Sequence, residues 1–198
     1  KQGKDGEEYV DWKKAQNIKW GDKATLEKID AMIYTPDNRI NNKKELDPAK
    51  IVYHSETFDF KDPPFDPVEF SQTLVKFMYD NNALGVAANQ VGVPYRIFAM
   101  RGSPENFVCF NPKIVQPSEK DVVLEEGCLS YPGLLVKIKR PEFVRVRFTT
   151  PNGDTITRQF IGMSARVFQH EYEHLDGIRF YDKANRFHRE QAMRKWKQ

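Results

Sequence analysis

The chain has 198 residues, with 31 Lys and Arg against 28 Asp and Glu, a net charge of +3, 39% hydrophobic and 30% charged residues. That length suits one domain with a sizeable core, and no apolar run approaches the roughly 18–20 residues that span a bilayer, so a membrane is excluded as partner. The charge is too small to argue for sequence-specific nucleic-acid binding. Two cysteines, Cys109 and Cys128, cannot form a disulfide framework and point to a reducing compartment, the cytoplasm or an organelle stroma or matrix.

In chain order, residues 1–8 are polar and charged and hold no signal-peptide core; the lack of a starting Met predicts a trimmed or processed chain. Residues 1–50 read as an extension packed on the main body through Trp12 and Trp20. A short amphipathic helix is predicted over 25–33, with Leu26, Ile29 and Ile33 on one stripe, and a polar loop over 37–48. Asp66-Pro67-Val68-Glu69 then supplies an N-cap, a Pro at the first helical position and an acid in the first turn. Phe70, Leu74, Phe77 and Met78 continue the helix as an apolar stripe, and Asn81-Asn82 end it.

Strands are predicted over 95–101, 107–115, 121–124, 134–139 and 143–149. In the last, Val144, Val146 and Phe148 alternate with Arg145 and Arg147, the period of a half-buried strand. Pro151-Asn152-Gly153-Asp154 forms a hairpin turn into a strand over 155–161. Ser164 is placed as the cap of a second long helix that Asp176-Gly177 stops. Helix, several strands and another helix make an α+β domain. A basic helix over 183–198 closes the chain.

The second long helix carries the chemistry. Gln169-His170-Glu171-Tyr172-Glu173-His174 contains H-E-x-x-H, in a chain with only four histidines. Positions i and i+4 lie about 5–6 Å apart on one helical face, so both imidazoles can reach one metal ion while Glu171 faces a water beside it. Met163, Val167, His170 and His174 share one stripe, and Phe168, Tyr172 and Leu175 form another, so the helix is expected to be largely buried. A catalytic site needs a third protein ligand. Spacing alone leaves this open between a downstream acid or imidazole, with His188 and Glu190 available, and the thiolate of Cys128. Cys109 sits in an apolar run and reads as core.

Three segments together resemble peptide deformylase: Gly85-Val86-Ala87-Ala88-Asn89-Gln90, Glu126-Gly127-Cys128-Leu129-Ser130, and Gln169 to His174. Phe110-Asn111-Pro112 and Arg140-Pro141 resemble family positions between them. The resemblance covers roughly residues 51–182, and Pro36 to Ile40 resembles the family's opening segment. It implies mostly antiparallel sheets packed around a central metal-binding helix, and removal of the formyl group from nascent formyl-methionyl polypeptides. It further implies one divalent ion on Cys128, His170 and His174 with water as fourth ligand, Fe²⁺ physiologically and Zn²⁺ or Ni²⁺ after purification. Glu171 is then the general base and acid, with Gln90 and the backbone N–H of Leu129 holding the negative formyl oxygen. Substrate is expected against Gly85 and Glu126, with methionine in a pocket of Leu84, Leu124, Met163 and Val167. Glycine at 85 is assigned to close passage of the substrate backbone.

Ala83, Val86, Glu173 and Leu135 depart from the resembled family's usual residues, Glu173 where aspartate is usual and Leu135 where many bacterial members carry arginine. The extension and an insertion fit a bacterial, organellar or phage-encoded member. Lys183, Arg186, Arg189, Arg194, Lys195 and Lys197 resemble the basic helix that docks some family members on ribosomes. A solvated helix packed through Phe187 and Trp196 is the preferred reading. Two competing readings are an H-E-x-x-H zinc peptidase, which requires a ligand downstream of His174, and a structural metal site closed by four protein ligands.

Overall fold

The computed structural model describes residues 55–91 and 93–198. The helix expected over 25–33, the loop over 37–48, Trp12, Trp20 and the segment from Pro36 to Ile40 lie outside the described residues. Helix α1 (Pro67–Asp80) starts as its sequence dictates: the Asp66 carboxylate accepts from the Val68 and Glu69 N–H groups, with Pro67 at the first position. Asn82, at φ 51°, turns the chain out of it. Strand β1 (Gly85–Ala87), a 3-10 turn (Ala88–Val91) and β2 (Ile97–Met100) follow, then β3 (Phe107–Pro117), β4 (Asp121–Cys128), β5 (Tyr131–Pro141), β6 (Phe143–Thr149) and β7 (Thr155–Ile161). Helix α2 (Gly162–Leu175), a second 3-10 turn (Phe180–Lys183) and α3 (Arg186–Trp196) complete the chain.

The strands form a five-stranded sheet in the order β1-β2-β3-β6-β7 and a separate β4-β5 hairpin. Every pairing between these strands is antiparallel. β6 and β7 match the predicted bounds: β6 alternates cleanly and a tight turn joins it to β7. β4 and β5 run well beyond the expected 121–124 and 134–139, up to a sharp turn in which Cys128 pairs with Tyr131. β1, at three residues, was too short to register as a pattern. Along β5, Leu134, Val136, Ile138 and Arg140 are buried while Leu135, Lys137 and Lys139 face out.

Helix α2 lies against the five-stranded sheet. Phe168 is fully buried between Phe98 and Phe160, with ring centroids at 5.0 and 5.6 Å, a burial worth about 1.5–3 kcal/mol. Ser164 does not cap α2, which begins two residues earlier. Gly162, at φ +63°, reverses the chain out of β7 and Ile161 provides no side-chain cap. The C-terminal stop is as expected: Gly177, at φ 73°, donates its N–H to the His174 carbonyl, and Ile178 donates to that of Glu173. Helix α3 packs on β5 through Trp196, whose indole N–H donates to the Pro132 carbonyl at 2.9 Å. Phe187, expected as its companion anchor, is instead 69% exposed. Among the described residues no helix is long and apolar enough to cross a membrane.

Candidate metal centre and cleft

Three separate pieces of the fold converge on one point. Helix α2 brings His170 and His174 one turn apart, and the β4-β5 turn brings Cys128. The donor atoms of these three residues all lie within 4.8 Å of one another. His174 Nε2 stands 3.0 Å from His170 Nε2 and 3.3 Å from Cys128 Sγ. A tetrahedral ion with bonds of about 2.0–2.1 Å to nitrogen and 2.3 Å to sulfur separates such atoms by about 3.3 and 3.6 Å, so a modest outward shift of each donor seats it. This is the one such group among the described residues; neither His188 nor Glu190 joins it.

Burial works against charging His170, but hydrogen bonds to Cys128 and Glu126 override it and push the imidazole up to about 10. Burial, joined by the nearby charges of His170 and Arg140, holds His174 well below the usual histidine range, leaving it a neutral donor. Burial also raises Glu126, yet hydrogen bonds from His170 and Arg140 outweigh it and bring that carboxyl down to about 2. An ionised Glu126 can only accept, so its 2.9 Å contact with His170 Nδ1 puts a proton there and aims Nε2 at the centre.

Glu126 was expected against substrate. Although it reaches the cleft, its oxygens are engaged by protein: Arg140 donates from Nε and Nη2 at 2.6 and 3.0 Å, and Arg166 from Nη1 at 2.7 Å. Arg140 also donates to Glu173 at 2.7 Å, and Arg166 to the carbonyls of Ile138 and Val122. Neither arginine was given a role by sequence reasoning. Arg140 lies on the buried side of β5's alternation, the one signal that could have marked it, and Arg166 precedes His170 by one turn.

Glu171 points into a cleft of about 360 Å³ that Gln90, Cys128, Leu129 and His170 also line. Burial raises its carboxyl to about 7, with His170 and Arg140 pulling down and Glu126 pushing up. Its Oε2 has no hydrogen-bond partner within the protein. Gly85 fits beside it for want of a side chain: a Cβ there would lie 2.8 Å from Glu171 Oε1 and 2.9 Å from Val167 Cγ1. The glycine thus makes room for the carboxylate, a local requirement distinct from the substrate passage assigned from sequence.

Of the expected pocket residues, Leu84, Met163 and Val167 line the cleft, Leu84 and Met163 at its half-exposed mouth. Leu124 does not line it; the β4 residues that do are Glu125 to Cys128. Leu124 stands two residues before Glu126 on the same strand face, past the end of the cleft, and strand periodicity does not reveal how far along a face a cleft extends. The Gln90 loop is tied to α2 by Asn89, whose Nδ2 donates to the His174 carbonyl at 2.7 Å. Ser55 and Arg96 donate to the next carbonyl, that of Leu175, at 2.8 and 3.4 Å.

Known proteins are similar to this chain in sequence and fold. The chain is 40% identical over 116 residues to the peptide deformylase of Pseudothermotoga lettingae, covering 58% of this chain and 67% of the relative. It is 43% identical over 115 residues to that of Rhodopirellula baltica, covering 56% of this chain and 57% of the relative. The crystal structure of a Synechococcus elongatus peptide deformylase in complex with actinonin superposes with a TM-score of 0.67 at 29% identity, covering 74% of this chain and 80% of that one. A polypeptide deformylase family model matches residues 48–190. That span takes in the Gln90 loop, the Cys128 hairpin and the H-E-x-x-H helix, and the chain belongs to the polypeptide deformylase family.

Proposed function

We propose that this chain hydrolyses the N-terminal formyl amide of formyl-methionyl nascent polypeptides, releasing formate, with Cys128, His170 and His174 as metal ligands. The observation that carries the reading is Glu171: a buried carboxyl raised to about 7, unpartnered at Oε2, on the same helical turn as both histidines. One thiolate and two imidazoles suit Fe²⁺ and Zn²⁺ alike; we assign Fe²⁺ as the physiological ion and Zn²⁺ or Ni²⁺ as ions of the purified protein. When bound, such an ion lowers the pKa of water and draws charge from a carbonyl oxygen.

The protein's residues do the rest. Glu171, poised near neutrality, takes the proton of the attacking water and returns it to the departing amine. An N–H of Gln90 and the backbone N–H of Leu129 stabilise the charge on the formyl oxygen, each such donor being worth about 2.7–4 kcal/mol in the transition state. Leu84, Met163 and Val167 offer the apolar wall that methionine requires, while Gly85 leaves Glu171 its place. The peptidase and structural-site readings lose support, since His188 and Glu190 stay away from the centre and only three protein donors converge among the described residues, where a structural site needs four.

The test is formate release from a short formyl-Met peptide, assayed anaerobically with Fe²⁺. Formate from the wild type and not from Glu171→Ala supports the reading. No formate from metal-loaded wild type, or equal formate from both, refutes it. A ribosome contact is the lesser part of the proposal. It draws support from Arg186 and Arg194, with side chains 86% and 80% exposed, although both pair with Glu190. Replacing Arg186, Arg189 and Arg194 by Glu keeps Trp196 in place, and unchanged co-sedimentation with ribosomes would dispose of it.

A further inference from the structure

Gln90 is held on three sides. Its Oε1 accepts the Ala87 N–H at 2.9 Å, its Nε2 donates to the Ser130 hydroxyl at 3.0 Å, and the same Nε2 lies 3.6 Å from Cys128 Sγ. All the groups on the first two bonds are buried. A carboxamide has one acceptor and a nitrogen with two N–H groups, so these contacts define its orientation. The Ala87 N–H fixes which end is oxygen, since a flipped amide would set donor against donor. Ser130 then takes one N–H, leaving the other on the side of Cys128 Sγ and the cleft, in a 3.6 Å contact long enough to be exchanged for a better acceptor.

From this geometry we infer that Ser130 is a positioning residue for deformylation, acting through Gln90: its hydroxyl holds the amide so that one N–H is presented to the reacting carbonyl. The inference rests on the oxyanion role given to Gln90 above. Gln90 sits on the turn after β1, whereas Ser130 sits on the β4-β5 turn two residues beyond Cys128. The Ser130–Gln90 bond therefore ties the amide to the very hairpin that supplies the sulfur. Without it, Nε2 keeps only the long contact with Sγ, and the amide, anchored at Oε1 alone, can swing its N–H out of line, since its terminal torsion is broad. An interaction made to the transition state alone shows in kcat and leaves KM nearly unchanged.

The experiment is a double-mutant cycle on the metal-loaded enzyme with a formyl-Met peptide. Gln90→Ala is expected to lower kcat about 100- to 1,000-fold, the usual loss for one oxyanion donor. Ser130→Ala is expected to lower kcat about 10- to 100-fold, with KM within about twofold and metal content unchanged, the scale of loss that misplacement by about an ångström produces. Ser130→Thr, which keeps the hydroxyl, restores kcat to within a few fold. In the Gln90→Ala background, Ser130→Ala has no further effect, because the group it positions is gone. The same loss in both backgrounds would overturn the inference, as would wild-type kcat in Ser130→Ala. Wild-type kcat in Gln90→Ala would instead remove the oxyanion role on which the inference stands. If Thr at this position does not fold, the cycle built from the two alanine variants still decides.

Discussion

Glu171 carries a cost that its replacement should reveal. Its carboxyl is 4% exposed and unpartnered at Oε2, and burial raises it from an ordinary 4.5 to about 7. At about 1.4 kcal/mol per unit, that rise corresponds to about 3 kcal/mol of native-state destabilisation once the group is ionised. The native state binds this proton more tightly than the unfolded chain. Stability therefore falls as pH climbs from about 4.5 through 7 and the loss is complete above it. Glu171→Gln removes the titration at nearly constant volume. In metal-free protein, the melting temperatures of the variant and wild type should nearly coincide at pH 4.5 and separate by pH 8.5, the variant being higher. For a chain of this size, about 3 kcal/mol equals at most about 6–12 °C. Calorimetry at both pH values reads the gap. A gap that does not grow between them would show that Glu171 is not buried as a strained carboxylate, and the argument for it as a base poised near neutrality would fall with it.

The other predictions follow from single contacts. Gly85→Ala places a methyl 2.8 Å from Glu171 Oε1, so kcat should drop on the order of 100-fold through displacement of the carboxylate, with circular dichroism unchanged; full activity would refute the close approach. Glu126→Gln keeps the shape and removes the charge that orients His170, so metal affinity should fall about 10- to 100-fold, measured by competition with a chelator. Asn89→Ala removes the buried 2.7 Å bond to the His174 carbonyl and should cost about 1–3 kcal/mol in denaturant unfolding; no loss would show that Ser55 and Arg96 hold the helix end unaided.

What the sequence disclosed was whatever depends on local spacing. His170 and His174 lie four apart on a helix, and Asp66-Pro67 begins a helix through its own side chain and ring. Cys128 came through a resemblance that joined three separated motifs, since nothing local distinguishes a ligand thiol from a core thiol such as Cys109. Arg140, Arg166 and the inward role of Glu126 escaped because their meaning lies in partners 14 to 44 positions away. Leu124 was misplaced for a related reason: it shares a strand face with Glu126, but how far the cleft reaches along that face is set by packing and not by the strand's period. Asn89 and Ser130 were visible inside motifs, but their bonds to α2 and to Gln90 exist only in three dimensions.

The buried layer beneath the histidines explains why Glu173 can stand where the family usually has aspartate. Arg140 and Arg166 bring two positive charges under the site, and Glu126 and Glu173 bring two negative ones. Glu173 reaches Arg140 at 2.7 Å, so the longer side chain keeps the pairing and the layer stays neutral. Removing one partner of such a buried group typically costs about 3–5 kcal/mol, since it strands a charge. Neutrality also matters for the chemistry above. At Glu171 the influences of Glu126 and Arg140 oppose each other, and burial is the largest cause of its shift. The layer can therefore aim His170 with a charged hydrogen bond while leaving the proton affinity of Glu171 to its own burial.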